Sequence, residues 1–152
     1  MTLNLNIARE QLLVLFEQHL FILADPFVTG EIPSIVGDYV KTQMDFKGDI
    51  NGRFTMLFPE DKSIEVMGNF LGLAPDDPQI SEMTSVDAAS EIMNILGAHI
   101  LSSWLNDRGH FSIGLPETSV FLSNDQTEFL DSKNITGILI DGEPIFLKID
   151  FK

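Results

Sequence analysis

Glu91 and Asn94 stand three residues apart in SEIMNILGAHI (residues 90–100), where most other residues are apolar or small. The two side chains have complementary chemistry. A carboxylate only accepts hydrogen bonds and attracts cations such as a lysine ammonium, whereas a carboxamide both donates and accepts. Together they can grip a lysine and hold a water molecule, although neither is a strong base at neutral pH. On a helix turning about 100° per residue, Val86, Ala89, Met93, Leu96, Gly97, Ile100 and Trp104 gather on one side as an expected core stripe. Asp87, Glu91, Asn94, Ala98 and Ser102 gather roughly opposite, and residues at i and i+3 point the same way. Ala98 and Ser102 carry so little side chain that another molecule can approach the helix there. Glutamate and asparagine are also common on solvated helix faces, so the spacing alone leaves a plain solvent-facing stripe as the simpler reading.

The flanking elements must hold this helix, expected over residues 85–106. From Ile7 to about Ala24, Leu12, Leu13, Leu15, Phe16, Leu20 and Leu23 recur at helical spacing, and Asp25-Pro26 is expected to stop that helix. Residues 27–37, with Gly30, Pro33 and Gly37, read as loop. Tyr39, Lys41, Gln43 and Asp45 alternate with Val40, Thr42, Met44 and Phe46 as in a half-buried strand. KGDING and the run Arg53–Phe58 complete a hairpin. Pro59 opens a helix whose expected face is Ile64, Met67, Phe70 and Leu71, closing at Gly72. LAPDDPQ (residues 73–79) reads as loop. HFSIGLPETSVFLS (residues 110–123) reads as a strand broken near Pro116, and residues 124–133 as polar loop. The segment 134–152 holds two β-rich runs around Asp141-Gly142, a strong hairpin signal, and one of its strands is a candidate sheet edge. The expected class is α+β, with helices packed on an antiparallel sheet in one domain spanning residues 1–152.

The chain has 152 residues, 44% hydrophobic and 21% charged, enough for a core of one domain. It has no cysteine, which excludes disulfides, thiol nucleophiles and thiolate metal sites. Its 23 acidic and 9 basic residues give a net charge of −14. Such a surface repels phosphate backbones and anionic lipid, so neither nucleic acid nor membrane is an expected partner. The first residues lack a basic n-region and a cleavage site, and Glu10 and Glu17 flank the apolar run LLVLF. Neither a signal peptide nor a membrane span fits, and a cytoplasmic location is expected. Asn134-Ile135-Thr136 matches a glycosylation acceptor, which has no meaning without secretion.

Other groups offer less. His19, His99 and His110 are scattered, with no metal-ligand spacing among them. Asp49-Ile50-Asn51-Gly52 resembles the start of a calcium loop but lacks the later ligands and reads better as a turn. Asp76-Asp77 reads as a solvated pair. Ser112 and Ser119 have no glycine elbow around them, and Trp104 is expected in the core.

DAASEIMNILGAHI (residues 87–100) resembles the active-site helix of the CheC/CheX/FliY chemotaxis phosphatases, whose motif is E-x-x-N within an apolar pattern. FKGDINGRFTMLFPEDKSIEVMGNFLG (residues 46–72) is similar to the CheX hairpin and following helix. There a glycine-bounded turn leads into an alternating strand ending in Phe, then a helix closing on Leu-Gly. FSIGLPETSVF (residues 111–121) is similar to the strand with a central proline that follows the active-site helix. These stretches cover about half of the chain in the same order. Two departures stand out. Ser90 occupies the place before the motif glutamate where the family often has glycine, a change affecting local helix packing more than chemistry. The first helix lacks the second E-x-x-N of CheC relatives: Glu10-Gln11-Leu12-Leu13 and Glu17-Gln18-His19-Leu20 have no asparagine. One site per chain matches the CheX branch.

The resemblance implies two-component signalling chemistry: hydrolysis of the aspartyl phosphate on a CheY-like response regulator. Asn94 would position the attacking water, and Glu91 would pair with the regulator's active-site lysine. Asp87, Ala98 and Ser102 would line the partner contact. The chain would need no cofactor of its own, with Mg²⁺ held by the regulator. By analogy with CheX-like proteins, a homodimer joined through sheet edges is also implied. Two alternatives stay open: a non-catalytic regulator-binding module, and a dimeric structural component like those of the flagellar switch.

Overall fold

The structure, a computed structural model, describes residues 5–27, 32–105, 109–121, 129–130 and 133–152. Among the described residues, seven strands form one antiparallel sheet: β1 (Asp25–Pro26), β2 (Tyr39–Gly48), β3 (Gly52–Pro59), β4 (Phe111–Ile113), β5 (Glu117–Val120), β6 (Ile135–Ile140) and β7 (Glu143–Phe151). Their order is β1-β6-β7-β3-β2-β4, with β5 also paired to β2. The helices are α1 (Leu5–Val14), α2 (Glu60–Phe70), the short α3 (Pro78–Glu82) and the long α4 (Ser85–Leu105).

Strand alternation sends side chains to two faces. Val40, Met44, Phe46, Phe54, Met56, Phe58, Ile145, Leu147 and Ile149 pack with the buried faces of α1, α2 and α4. Tyr39, Leu57 and Phe146 point the other way and join Ile35, Phe121 and Phe129 in a smaller cluster. There the Tyr39 hydroxyl donates to the Pro144 carbonyl at 2.7 Å, tying β2 to the start of β7. Both predicted hairpins are present. In the first turn, Asn51 accepts from the Gly48 amide at 3.0 Å. In the second, Asp141 and Gly142 both take positive φ (50° and 78°), the conformation that tight hairpin turns require. Pro116 does break the strand, but β4 and β5 both pair with β2, so the break bends one edge strand rather than ending it.

Several expectations need correction. The first helix does not run to Ala24. It gives way to a π-helical turn at Leu15–His19, and Phe21 follows in the left-handed region (φ 56°). The wider turn keeps Leu15, Phe16 and Leu20 buried while ending the helix, so Leu23 falls outside it and is exposed. Asp25-Pro26 is not the stop itself but a short strand beside β6. On α2 the buried face is Ser63, Val66 and Met67, while Phe70 and Leu71 are exposed at its C-terminal end. Gly72 closes that helix at φ +72°. On α4, Val86 is exposed, and Ala88, Ile92, Leu101 and Leu105 join the rest of the predicted stripe in the interior. The apolar arc is wider than a one-sided amphipathic helix needs because α4 lies on the sheet and is flanked by both α1 and α2. Gly97 marks its close approach to β2: a Cβ there would overlap the end of Met44. In the final hairpin, β7 is central and β6 is the outer strand, partly covered by β1. Most of the predicted polar loop 124–133 lies outside the described residues.

Candidate functional site

Helix α4 begins at Thr84, whose hydroxyl accepts from the Asp87 amide at 3.1 Å and whose carbonyl accepts from the Ala88 amide at 3.0 Å. This satisfies a first-turn donor that would otherwise lack a partner, and Asp87 adds favourable charge at the positive end of the helix. Beyond the cap, the one stripe not covered by sheet or helices carries Asp87, Glu91, Asn94, Ala98 and Ser102. Asp87, Glu91 and Ser102 are exposed, and Asn94 and Ala98 are half-buried. The predicted stripe is therefore solvent-facing along its length, about 22 Å at 1.5 Å per residue.

Neither Glu91 nor Asn94 makes a side-chain hydrogen bond or ion pair with another described residue. In contrast, Lys62 on α2 is held by Asp141 at 2.8 Å and Glu65 at 3.1 Å, and Arg53 by Asp45 at 2.7 Å. These bonds push the Lys62 ammonium above its ordinary range and hold the Asp45 carboxyl below its own. The pair on α4 thus lies on a solvent-facing helix stripe, with no side-chain bond to another described residue. A hollow of about 470 Å³ beside the start of α2 is lined by Asp38, Glu60, Asp61 and Glu143 among others, with no residue of α4. A single solvent-facing helix stripe does not enclose a small substrate, so chemistry at Glu91 and Asn94 would need a partner molecule to supply the rest of the site.

Ser90 fixes the stripe from below. Its Oγ lies 2.8 Å from the Val86 carbonyl and 2.6 Å from Thr118 Oγ1 on β5, and Thr118 Oγ1 lies 3.0 Å from Thr42 Oγ1 on β2. Sequence reading registered Ser90 only as a change in helix packing. Its partner is 28 positions away, so no local spacing could reveal the link.

The other groups fall out differently. His19 and His99, distant in sequence, bring their rings to 4.9 Å between centroids. Burial, and then the neighbouring His19, push the His99 imidazole below its ordinary range. His110 is exposed, and its amide donates to Asp49 Oδ2 at 2.9 Å; Asp49 and Asn51 thus serve the turn, as the turn reading has it. Asp77 is not simply solvated: it caps α3 by accepting from the Gln79 amide at 2.8 Å. Ser112 and Ser119 are exposed on edge strands, and Trp104 is buried. No helix among the described residues is long and apolar enough to cross a membrane.

No protein-family model matches the sequence, and no curated protein does. Solved structures do match. The CheX chemotaxis protein of Vibrio vulnificus is 17% identical with a TM-score of 0.66, over 97% of each chain. The CheX–CheY–BeF3–Mg²⁺ complex of Borrelia burgdorferi matches at 16% identity and a TM-score of 0.62, over 97% of this chain and 94% of that one. FliY of Thermotoga maritima matches at 12% identity and a TM-score of 0.58, over 99% and 92%. At these TM-scores and coverages, and with its helices packed on one antiparallel sheet, the chain has the fold shared by the CheX and FliY chemotaxis proteins.

Proposed function

We propose that this protein is a CheX-like phosphatase that hydrolyses the aspartyl phosphate of a CheY-like response regulator in the cytoplasm. One observation carries the reading: Glu91 and Asn94 lie together on the solvent-facing stripe of α4, neither bonded through its side chain to another described residue. The Borrelia CheX neighbour, solved in complex with CheY, BeF3 and Mg²⁺, supports the choice of partner.

An acyl phosphate is already reactive, so a catalyst gains most by placing water in line with the phosphorus and the leaving oxygen. The Asn94 carboxamide would hold that water. The oxygen of the water forms the new bond to phosphorus as the bond to the aspartyl oxygen breaks. The regulator's carboxylate leaves with the electron pair, and the proton of water passes to the released phosphate. Glu91 would pair with the regulator's lysine and so set the register of Asn94. Asp87, Ala98 and Ser102 would complete the contact, the two small residues permitting close approach. Mg²⁺ would sit among the regulator's own carboxylates. The net charge of −14 would speed encounter with a basic rim.

The test is phosphate release from a phosphorylated CheY-like regulator of the same organism with Mg²⁺. The wild type should accelerate release. Asn94→Ala should lower the rate by about 100-fold, the scale of a lost positioning group, while retaining binding. Glu91→Ala should weaken binding. Binding without acceleration by the wild type would refute catalysis and leave the docking-module reading.

A further inference from the structure

We propose that Ser90 and Thr118 are positioning residues that set the rotation of α4 and hence the aim of Glu91 and Asn94. The catalytic part of this inference rests on the phosphatase reading; the structural part does not. Among the described residues, Ser90 is the one side chain of α4 that hydrogen-bonds to the sheet. The remaining contacts between α4 and the sheet are largely apolar, and apolar contact has no preferred direction. A hydroxyl bond does.

The protons of the chain run one way. Each hydroxyl has a single proton to donate. Ser90 gives its proton to the Val86 carbonyl, so Thr118 must donate to Ser90 and Thr42 to Thr118. Reversing the chain would leave the Thr42 proton without a described acceptor, on a side chain that is 0% exposed. The relay therefore starts on β2, crosses β5 and ends on the helix. It ends one residue before Glu91 and one turn before Asn94. Thr118 is itself fixed, because it faces Thr42 in the register of β5 on β2.

The geometry shows why this matters. A rotation of about 20° moves a side-chain tip lying roughly 5 Å from the helix axis by about 1.7 Å. Displacements of about 1 Å already degrade in-line geometry. Where a glycine precedes the motif, no such bond can form. In this chain the serine supplies a directional stop.

Thr118→Val keeps the shape and removes the hydroxyl, Thr118→Ser restores the hydroxyl, and Ser90→Ala cuts the relay within a residue that suits a helix. Residual dipolar couplings of the α4 amides should show the helix rotated about its axis in Thr118→Val and Ser90→Ala but not in Thr118→Ser. Unchanged couplings in both hydroxyl-free variants would overturn the proposal, whether or not the protein is a phosphatase. In the phosphate-release assay, Thr118→Val should lower kcat about tenfold through Asn94 and raise KM through Glu91, and Thr118→Ser should recover both. Added to Asn94→Ala, Thr118→Val should lower kcat no further, since the group that positions the water is gone. Equal losses in both backgrounds would overturn the positioning role. A wild type that releases no phosphate would refute the phosphatase reading and leave the rotation measurement as the deciding test.

Discussion

Tyr39 is the only tyrosine in the chain, which makes it an unusually clean reporter. It is buried, and its hydroxyl donates to the Pro144 carbonyl, 105 positions away, at 2.7 Å. Burial is the main cause that pushes its ionisation well above the ordinary phenol range, with Glu143 and Asp61 adding repulsion toward a phenolate. Tyr39→Phe keeps the ring and deletes one hydrogen bond. The expected loss is about 1–2 kcal/mol, that of a hydrogen bond whose buried carbonyl loses its partner. For a chain of this size that is roughly 3–6 °C in Tm.

The pH dependence has a definite sign. The folded pKa lies above the unfolded one, so this contribution is fully present below about pH 10 and is lost as pH rises beyond it. The slope approaches about 1.4 kcal/mol per pH unit. Lys62, also shifted upward, acts in the same direction, so the difference between wild type and Tyr39→Phe isolates the phenol. Phenolate absorbance should appear near pH 10 in denaturant, whereas in native protein it should appear only as far-ultraviolet circular dichroism is lost. Reversible phenolate formation near pH 10 with the circular dichroism unchanged would refute the argument.

Two further outcomes follow from other parts of the fold. His99, shifted downward by burial and by His19, favours its neutral form in the folded state; this contribution is present above about pH 6.5 and is lost as pH falls through the folded pKa. Nuclear magnetic resonance should show His99 titrating below the ordinary range, and His19→Ala should move it part of the way back. At Gly97, Gly97→Leu should cost about 1–3 kcal/mol or more by forcing α4 off β2. Gly97→Ala should be close to neutral in denaturant melts, because a gain of up to about 1 kcal/mol in helix propensity offsets displacement of the flexible end of Met44.

The hairpins, the break at Pro116 and the long helix were readable because each rests on local chemistry: paired turn residues, a missing amide proton, a sustained period. The solvent-facing stripe of α4 was readable for the same reason. The errors fell where a distant neighbour decides the outcome. Helical spacing puts Val86 in the core and leaves Ile92 out because a wheel cannot know that α4 is flanked on two sides. The apolar spacing makes the first helix too long because nothing in it announces a π-helical turn or a left-handed phenylalanine. Periodicity puts Phe70 and Leu71 on a buried face, but α2 turns that end toward solvent. The hydroxyl relay through Thr42, Thr118 and Ser90 joins three elements and leaves no mark on the spacing of any one of them.

The place of β7 in the sheet bears on how the protein is made. It is the last of the seven strands in chain order, yet it lies between β6 and β3. While the chain is being synthesised, the β2–β3 hairpin can form early, but the β3 flank that β7 will cover stays open until residues 143–151 have emerged. The sheet therefore closes late, through pairings such as Phe54 with Ile149 that span nearly a hundred positions. Such pairings carry a large loop-closure cost and slow folding. Until they form, the apolar row Phe54, Met56 and Phe58 lies beside an unpaired strand edge, the part of the nascent chain most in need of protection from other chains.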